Sequence, residues 1–563
     1  MNPLVKRTDA LLILLWMFVI ASFCVSHLTN DFFVFIAWGR SVAQNGISGL
    51  SSFTDLWEIK GLLSRIAYYL LYVISAIFVD DVGLKYHIIY KIIGCVAVNL
   101  FIGMSLICLP QEYVPGKKKM FFLFGIALFS LHFSCHFQPE FFAVILIFLS
   151  LALYLRKSIG WSLLAGFVLG LTFFLKSPIP LMGGSLFAVS MLLKQTSFKK
   201  EFCDIFPLGV GMLLTIFLGI LALKIFNPQE IQDILDASYY QNTLFANPRS
   251  VIFGVKALIM GVLRNVWVNA GLLFFISCFI HLAVRKRCSS KDVLIVLVSL
   301  FFPALYVLLS NCFFVYHYTL FIFPLLGMLL FVFKDCSLLM DLSKISHLKM
   351  ALGFVFVGLF YILQFIPLNL KSQNGFWIVL SLVFMLLLLL KKWNELVVIV
   401  FLACALGVYL SNSSLISSYI QKANSFFDNY EKNNSLHLDV GKTNDFNNGS
   451  VLYLDGGVGL YYCRKPSYLR YFYPLPIQRI DENESNFVKS ATFVETKSKI
   501  LNYQGLFLTL DSAWFFKYPH NEIKNIILSY EKYDVIPSVI FSWDLYPPKP
   551  VEINPILVMK RRL

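Results

Sequence analysis

Apolar stretches of about 16 to 23 residues recur along most of this chain, and a run of that length with few charges is what a helix needs to cross the hydrocarbon core of a bilayer. In hydrocarbon every backbone N–H and C=O must be satisfied inside the structure, so a chain built this way folds as a bundle of membrane helices. Spans are predicted at 10–26, 86–109, 120–135, 141–155, 160–175, 179–193, 206–226, 267–284, 292–311, 319–333, 350–367, 376–390 and 396–411. An apolar content of 58% and a mean hydropathy of +0.72 exclude a string of soluble domains.

The first run follows Lys6 and Arg7 but has no small-residue cleavage site, so it reads as a retained span and not as a signal peptide. The 11 cysteines are scattered singly without a CxxC pair, and neither a disulfide framework nor a zinc site is expected from them. Net charge is +15, and its placement carries more information than its size.

The run LLSRIAYYLLYVISAIFV, 62–79, is long enough to cross, yet Arg65 and three tyrosines suit an amphipathic helix at the interface. The positive-inside rule arbitrates. If the run lies on the outer surface, the basic loops 117–119, 156–157, 194–200, 285–291, 334–349 and 391–392 all share the side of Lys6 and Arg7. The expected protein therefore has about 13 transmembrane helices, a cytoplasmic N-terminus and a C-terminal part outside the cytoplasm, in the cytoplasmic membrane. Residues 1–411 form the membrane domain. Residues 412–563 turn polar and, with strand-like runs at 451–457, 505–511 and 556–562 and an amphipathic helix at 521–530, predict a small α/β domain.

Two outer connections are long, 27–85 and 227–266. In the first, Asp31 opens an aromatic helix-like run predicted to set Phe32, Phe35, Ile36 and Trp38 in the headgroup region, with Arg40 facing water. Asp55, Glu58 and Lys60 follow before the second surface helix. Lys60, Lys91, Lys176, Lys224 and Arg264 cluster at outer span ends, where a cation beside hydrocarbon needs a carboxylate or an anionic ligand. Nucleotide sugars and ATP are absent from that compartment, so an activated group must arrive on a lipid. A carboxylate there can serve as general base on an acceptor while cations stabilise a departing phosphate.

The order of these pieces resembles the GT-C superfamily, integral-membrane glycosyltransferases that use polyprenyl-phosphate sugars, particularly the protein O-mannosyltransferase and aminoarabinose-transferase type. NDFFVFIAWGRSVAQNGIS followed by FTDLWEIKGLLSRIAYYLLY is similar to the first loop of that family, with an acid, an aromatic helix, a Gly-Arg step and a Lys-Gly step. Lys91 in YKIIGCVAVN stands for its outer arginine, FFLKSPIPL for its LxKxP turn around Lys176, and VYHYTLFIFP for the entry to a late helix. The prolines expected after Gly46 and Gly61 are absent, and no second acid adjoins Asp31.

The resemblance implies a transferase moving a sugar from a polyprenyl-phosphate donor to a glycan, glycolipid or protein acceptor, with membrane lipids and no nucleic acid as partners. It implies Asp31 as the catalytic acid or base, and Lys60, Lys91, Lys176, Arg264 and His317 as donor-phosphate ligands. Asp55, Glu58 and Arg249 would act on the acceptor or in support. No cofactor is assigned, and a divalent metal stays open; the His132, His136 and Glu140 corner in HFSCHFQPE permits a metal pair without showing the further ligands of a site. The tail segment 464–479, with four basic residues and four aromatics, suits a sugar, an anionic glycolipid or an interface with the membrane part. A flippase of a lipid-linked sugar is the alternative, though neither repeated halves nor broken midmembrane helices are evident. A membrane-anchored assembly protein is a third reading and predicts no outer-facing cavity.

Overall fold

A computed structural model of the chain describes residues 13–24 in part, 30–45, 61–79, 83–113, 117–129, 137–226, 228, 231, 251–264, 289–310, 315–334, 451–454, 468, 491–511, 521–536, 539–541, 550–553 and 556–562. The expected spans at 267–284, 350–367, 376–390 and 396–411 and the boundary at 411 lie outside the described residues. So do Asp55, Glu58, Lys60, His132, His136, Arg249 and all but Tyr468 of the segment 464–479.

The helices run α1 (Asn30–Asn45), α2 (Leu62–Ala76), α3 (Gly83–Cys108), α4 (Lys117–Phe129), α5 (Pro139–Tyr154), α6 (Ile159–Leu171), α7 (Gly183–Lys194), α8 (Phe198–Phe226), α9 (Val251–Arg264), α10 (Ser290–Ser310) and α11 (Ile322–Lys334). Short 3-10 segments at Gln111–Tyr113, Thr172–Phe174, Ile179–Met182 and Val315–Phe321 join some of them. Among the described residues, helices at Lys85–Cys108, Phe198–Phe226 and Ser290–Leu309 are long and apolar enough to cross a membrane.

Helix α5 is the hub. Its sequence PEFFAVILIFLSLALY is apolar all round, the pattern of a helix enclosed by others, and it packs against α3, α6, α7, α11 and the 315–321 turn. The outer helices carry the complementary pattern. On α3 the exposed Ile92, Val96, Leu100, Met104 and Ile107 lie three and four residues apart, with exposed Phe101 beside them, so an apolar stripe faces away from the protein where lipid would lie.

Helix α2 is polar inward and apolar outward. Ser64, Arg65, Tyr68, Leu71 and Ser75 are buried while Leu70, Ile74, Ile77 and Phe78 are exposed, the inverse of a soluble amphipathic helix. Its neighbour α1 crosses it closely at Gly39, where an added Cβ would meet Tyr72 Cβ at 2.5 Å, and Phe35 stacks on Tyr68 with centroids 4.2 Å apart. This crossing overturns the expectation for α1. Phe35, Ile36 and Trp38 are packed inside the protein, and Arg40 is 4% exposed and does not face water. A close crossing on Gly39 leaves no room for lipid or water at that face.

Two spans start or stop away from their expected ends. Helix α8 begins at Phe198, earlier than 206, and runs through Pro207. Helix α6 ends at Leu171, and the chain turns through Thr172–Phe174 and Ile179–Met182 before α7, with Pro178 and Pro180 barring a continuous helix across that turn.

In the C-terminal described residues a four-stranded sheet has the order β1-β2-β6-β3, with β1 (Leu452–Leu454) parallel to β2 (Phe507–Asp511), and β6 (Ile556–Arg561) antiparallel to both β2 and β3 (Tyr530–Ile536). Helices α12 (Ala491–Leu501) and α13 (Asn521–Leu528) pack on each other, and β4 (Val539–Phe541) pairs with β5 (Pro550–Ile553). Strands thus occur at the three expected places and a helix at 521–528, while α12 and β3 carry no signal that the pattern reading used.

Candidate active site

The turn that ends α6 places Lys176. Leu175 and Lys176 both donate backbone N–H bonds to Thr172 O at 3.1 Å, and Lys176 O accepts from Ile179 N at 3.0 Å. The side chain of Lys176 is 2% exposed and its Nζ lies 2.9 Å from Glu140 Oε1. Glu140, fully buried, stands in the first turn of α5 directly after Pro139. A carboxylate at a helix N-terminus is favoured by the helix dipole, and the ammonium supplies the counter-charge that burial demands.

Two further side chains complete the group. Tyr306 of α10 donates its hydroxyl to Glu140 Oε1 at 2.6 Å, and His317 Nε2 lies 3.0 Å from Lys176 Nζ and 3.6 Å from Glu140 Oε1. With an ammonium as donor, Nε2 must accept, which puts the proton of the neutral ring on Nδ1. The Tyr306 and His317 rings meet edge to face, with centroids 5.7 Å apart at 89°. Four elements, α5, the 172–176 turn, α10 and the 315–321 segment, therefore converge on one buried, charge-balanced centre.

The first loop docks on the same turn. Gly61 N–H donates to Leu175 O at 2.9 Å, and Ser64 Oγ donates to the same carbonyl at 3.3 Å. An added Cβ on Gly61 would sit 2.1 Å from Phe174 O, so only glycine allows this approach. Gly61 thus meets the chain beside Lys176. From α2, Tyr68 donates its hydroxyl to Phe137 O at 3.0 Å, three residues before Glu140. Residue 31 is one helical turn before Phe35, which stacks on that tyrosine; the side chain of Asp31 lies outside the described residues.

Lys91 belongs to the adjoining layer. It is fully buried in α3, its Nζ 5.8 Å from the centre of the Phe23 ring, and one turn earlier His87 lies within electrostatic reach of both Lys91 and Arg40. Phe137 packs against the same helix, where an added Cβ on Gly94 would meet its ring at 2.1 Å, so the chain leading into Glu140 touches the Lys91 helix directly. Helix α9, which carries Arg264, packs on the 315–321 segment, where Tyr318 donates to Ala257 O at 3.4 Å; the side chain of Arg264 lies outside the described residues. Lys224, in the last turn of α8, is exposed.

Of the candidate residues, the structure joins Lys176 and His317 directly and sets Lys91 in a neighbouring layer. It adds Glu140 and Tyr306. The sequence pattern offers Glu140 only as a corner of a metal pair with His132 and His136; the signal that marks it is a lone carboxylate leading an otherwise uncharged span, which must find a buried cation. Among the described residues no group of three or more His, Cys, Asp and Glu side chains is placed to hold a metal ion.

A second buried carboxylate marks the other end of α5. Glu201 Oε1 accepts from Tyr154 Oη at 2.8 Å, Ser190 Oγ at 2.6 Å and Lys194 Nζ at 3.1 Å, and its Oε2 accepts from Thr196 Oγ1 at 2.8 Å. Fourteen residues of helix, about 21 Å, separate Glu140 from Tyr154. Four donors saturate Glu201, so this cluster clamps α5, α7 and α8 together.

No family model matches the chain, and no curated protein matches it. Among solved structures the fold is similar to that of ArnT from Cupriavidus metallidurans bound to undecaprenyl phosphate, at 13% identity, covering 99% of this chain and 97% of that one with a TM-score of 0.53. The apo structure of the same protein aligns over the same shares at 13% identity with a TM-score of 0.52. At this identity the likeness is one of fold, and it spans nearly the whole of both chains.

Proposed function

We propose that the chain is a membrane glycosyltransferase that moves a sugar from a polyprenyl-phosphate donor to an acceptor on the outer face of the cytoplasmic membrane. The observation that carries this reading is the convergence of Gly61, Lys176, His317 and Glu140 at one end of α5. The whole-chain likeness to a structure solved with undecaprenyl phosphate supports a lipid phosphate as the ligand of that end.

In this account Asp31, at the start of α1, takes the proton from the acceptor hydroxyl or amine as it attacks the anomeric carbon. The bond from that carbon to the phosphate oxygen breaks, and polyprenyl phosphate leaves. Lys60, Lys91, Lys176, Arg264 and His317 stabilise the charge on the departing phosphate. Glu140 holds Lys176 and, through it, His317 in place, and Tyr306 fixes the carboxylate. Asp55, Glu58 and Arg249 belong to the acceptor side.

A flippase would need a polar route between the two faces. Helix α5, the hub of the bundle, carries no charge after Glu140, which favours a site at one face. The test is sugar transfer in proteoliposomes loaded with a polyprenyl-phosphate sugar. Asp31→Asn is expected to lower turnover by a factor of about 100 or more with the fold intact, and normal turnover by the folded variant would remove the proposed base.

A further inference from the structure

At the end of α5 opposite Glu140, the chain leaves a groove of about 700 Å³ lined by Ile107, Glu112, Leu155, Arg156, Lys157 and Trp161 among others. Helices α3 and α6, whose ends border it, each pack on α5. The Arg156 guanidinium lies 4.8 Å from the centre of the Trp161 ring, its Nε donates to Cys108 O at 2.7 Å, and its Nη2 donates to Ile107 O at 3.3 Å. Those bonds cap the last turn of α3 and use two of the five N–H groups of an exposed side chain. Lys157, at φ 57°, reaches Glu112 Oε1 at 3.0 Å, with both side chains more than half exposed.

The walls are apolar and continue outward. Ile107 is 72% exposed and Ile159 71%, and from them exposed Leu100 and Met104 run along α3 while Leu164 and Phe167 run along α6. A soluble partner filling the groove would leave those two stripes bare. A two-chained lipid covers both: its headgroup lies in the polar groove and its chains lie on the helices. Charge selects the headgroup. Arg156 and Lys157 outnumber Glu112 at the groove, and the Lys117-Lys118-Lys119 run that opens α4 follows closely in sequence.

We propose that this groove is a binding site for one anionic glycerophospholipid, its phosphate against Arg156 and Lys157 and its acyl chains along the exposed faces of α3 and α6. The exposed Lys157–Glu112 pair contributes little, so it exchanges readily for a phosphate. Trp161 takes the aromatic position at the interface level, its face already engaged by the guanidinium.

The experiment is native mass spectrometry of the full-length chain in micelles, titrated with phosphatidylglycerol or with phosphatidylcholine of the same acyl composition. Wild type is expected to retain one phosphatidylglycerol at about fivefold lower concentration than phosphatidylcholine, a basic residue at a membrane surface being worth about that factor. Arg156→Gln/Lys157→Gln abolishes the preference, and Lys157→Gln alone, which leaves the cap on α3 untouched, reduces it by about half. Inorganic phosphate does not displace the lipid, because the acyl stripes hold it. Equal retention of the two lipids by wild type overturns the proposal, as does a preference undiminished in a Lys157→Gln chain with unchanged helical circular dichroism, or displacement by millimolar phosphate.

Discussion

Lys176 Nζ and Glu140 Oε1 lie 2.9 Å apart with both side chains out of solvent, and the two residues are brought together from 36 positions apart by the turn that ends α6. Burial makes each the condition for the other: an isolated charge in that position is far more costly than the pair. This interdependence makes the site testable by paired substitution.

Lys176→Met strands the Glu140 carboxylate, and breaking a buried pair costs about 3–5 kcal/mol. Glu140→Gln/Lys176→Met leaves a neutral centre and is expected to regain most of that stability. Transfer in the double variant is expected to stay depressed by a factor of about 100, because the cation proposed to face the leaving phosphate is gone. Denaturant unfolding in micelles and turnover in proteoliposomes, read on the same three proteins, separate stability from activity.

Tyr306→Phe removes one hydrogen bond to Glu140 without removing the charge pair. The expected loss is about 1–3 kcal/mol for a buried acceptor short of one donor, with a smaller fall in turnover than Lys176→Met. Comparing initial rates of the two variants at equal folded concentration checks the order.

Gly61→Ala places a Cβ 2.1 Å from Phe174 O and forces the start of α2 away from the Lys176 turn. Overpacking of this kind costs about 1–3 kcal/mol, and the displaced first loop is expected to raise the donor KM. Gly160→Ala is the matched control, since a Cβ there meets nothing within 4 Å. It is expected to leave the donor KM unchanged.

Glu201→Ala tests the separation of the two ends of α5. It leaves Lys194 buried without its carboxylate, so a loss of about 3–5 kcal/mol is expected. Turnover per folded molecule is expected to match wild type, which activity normalised to the folded fraction would show.

Much of the helical fold is readable in the chain because run length and charge report membrane helices directly. The stretch 86–109 appears as Gly83–Cys108 and 141–155 as Pro139–Tyr154. The early start of α8 was hidden by Lys199, Lys200 and Glu201, which look like loop charges; Glu201 is satisfied inside the bundle by Lys194 and three hydroxyls from other turns. Arg40 reads as water-facing for a similar reason: nothing in one sequence shows that Gly39 brings α1 against α2 and encloses it.

The site was legible as residue types and not as partners. Lys91, Lys176 and His317 stand out as polar groups in apolar runs, and all three are buried. The pairing of Lys176 with Glu140, and of Glu140 with Tyr306 166 positions away, follows from helix packing that leaves no spacing in the sequence.

The central claim is that the Glu140 end of α5 receives a lipid phosphate. The direct measurement is equilibrium binding of undecaprenyl phosphate and of undecaprenol to the wild-type chain and to Glu140→Gln/Lys176→Met in nanodiscs. The account predicts that wild type binds the phosphate at least about tenfold more tightly than the alcohol, a charge-assisted contact being worth that much, and that the double variant loses the difference. Equal affinity of wild type for the two lipids, or a phosphate preference unchanged in a folded double variant, would contradict it.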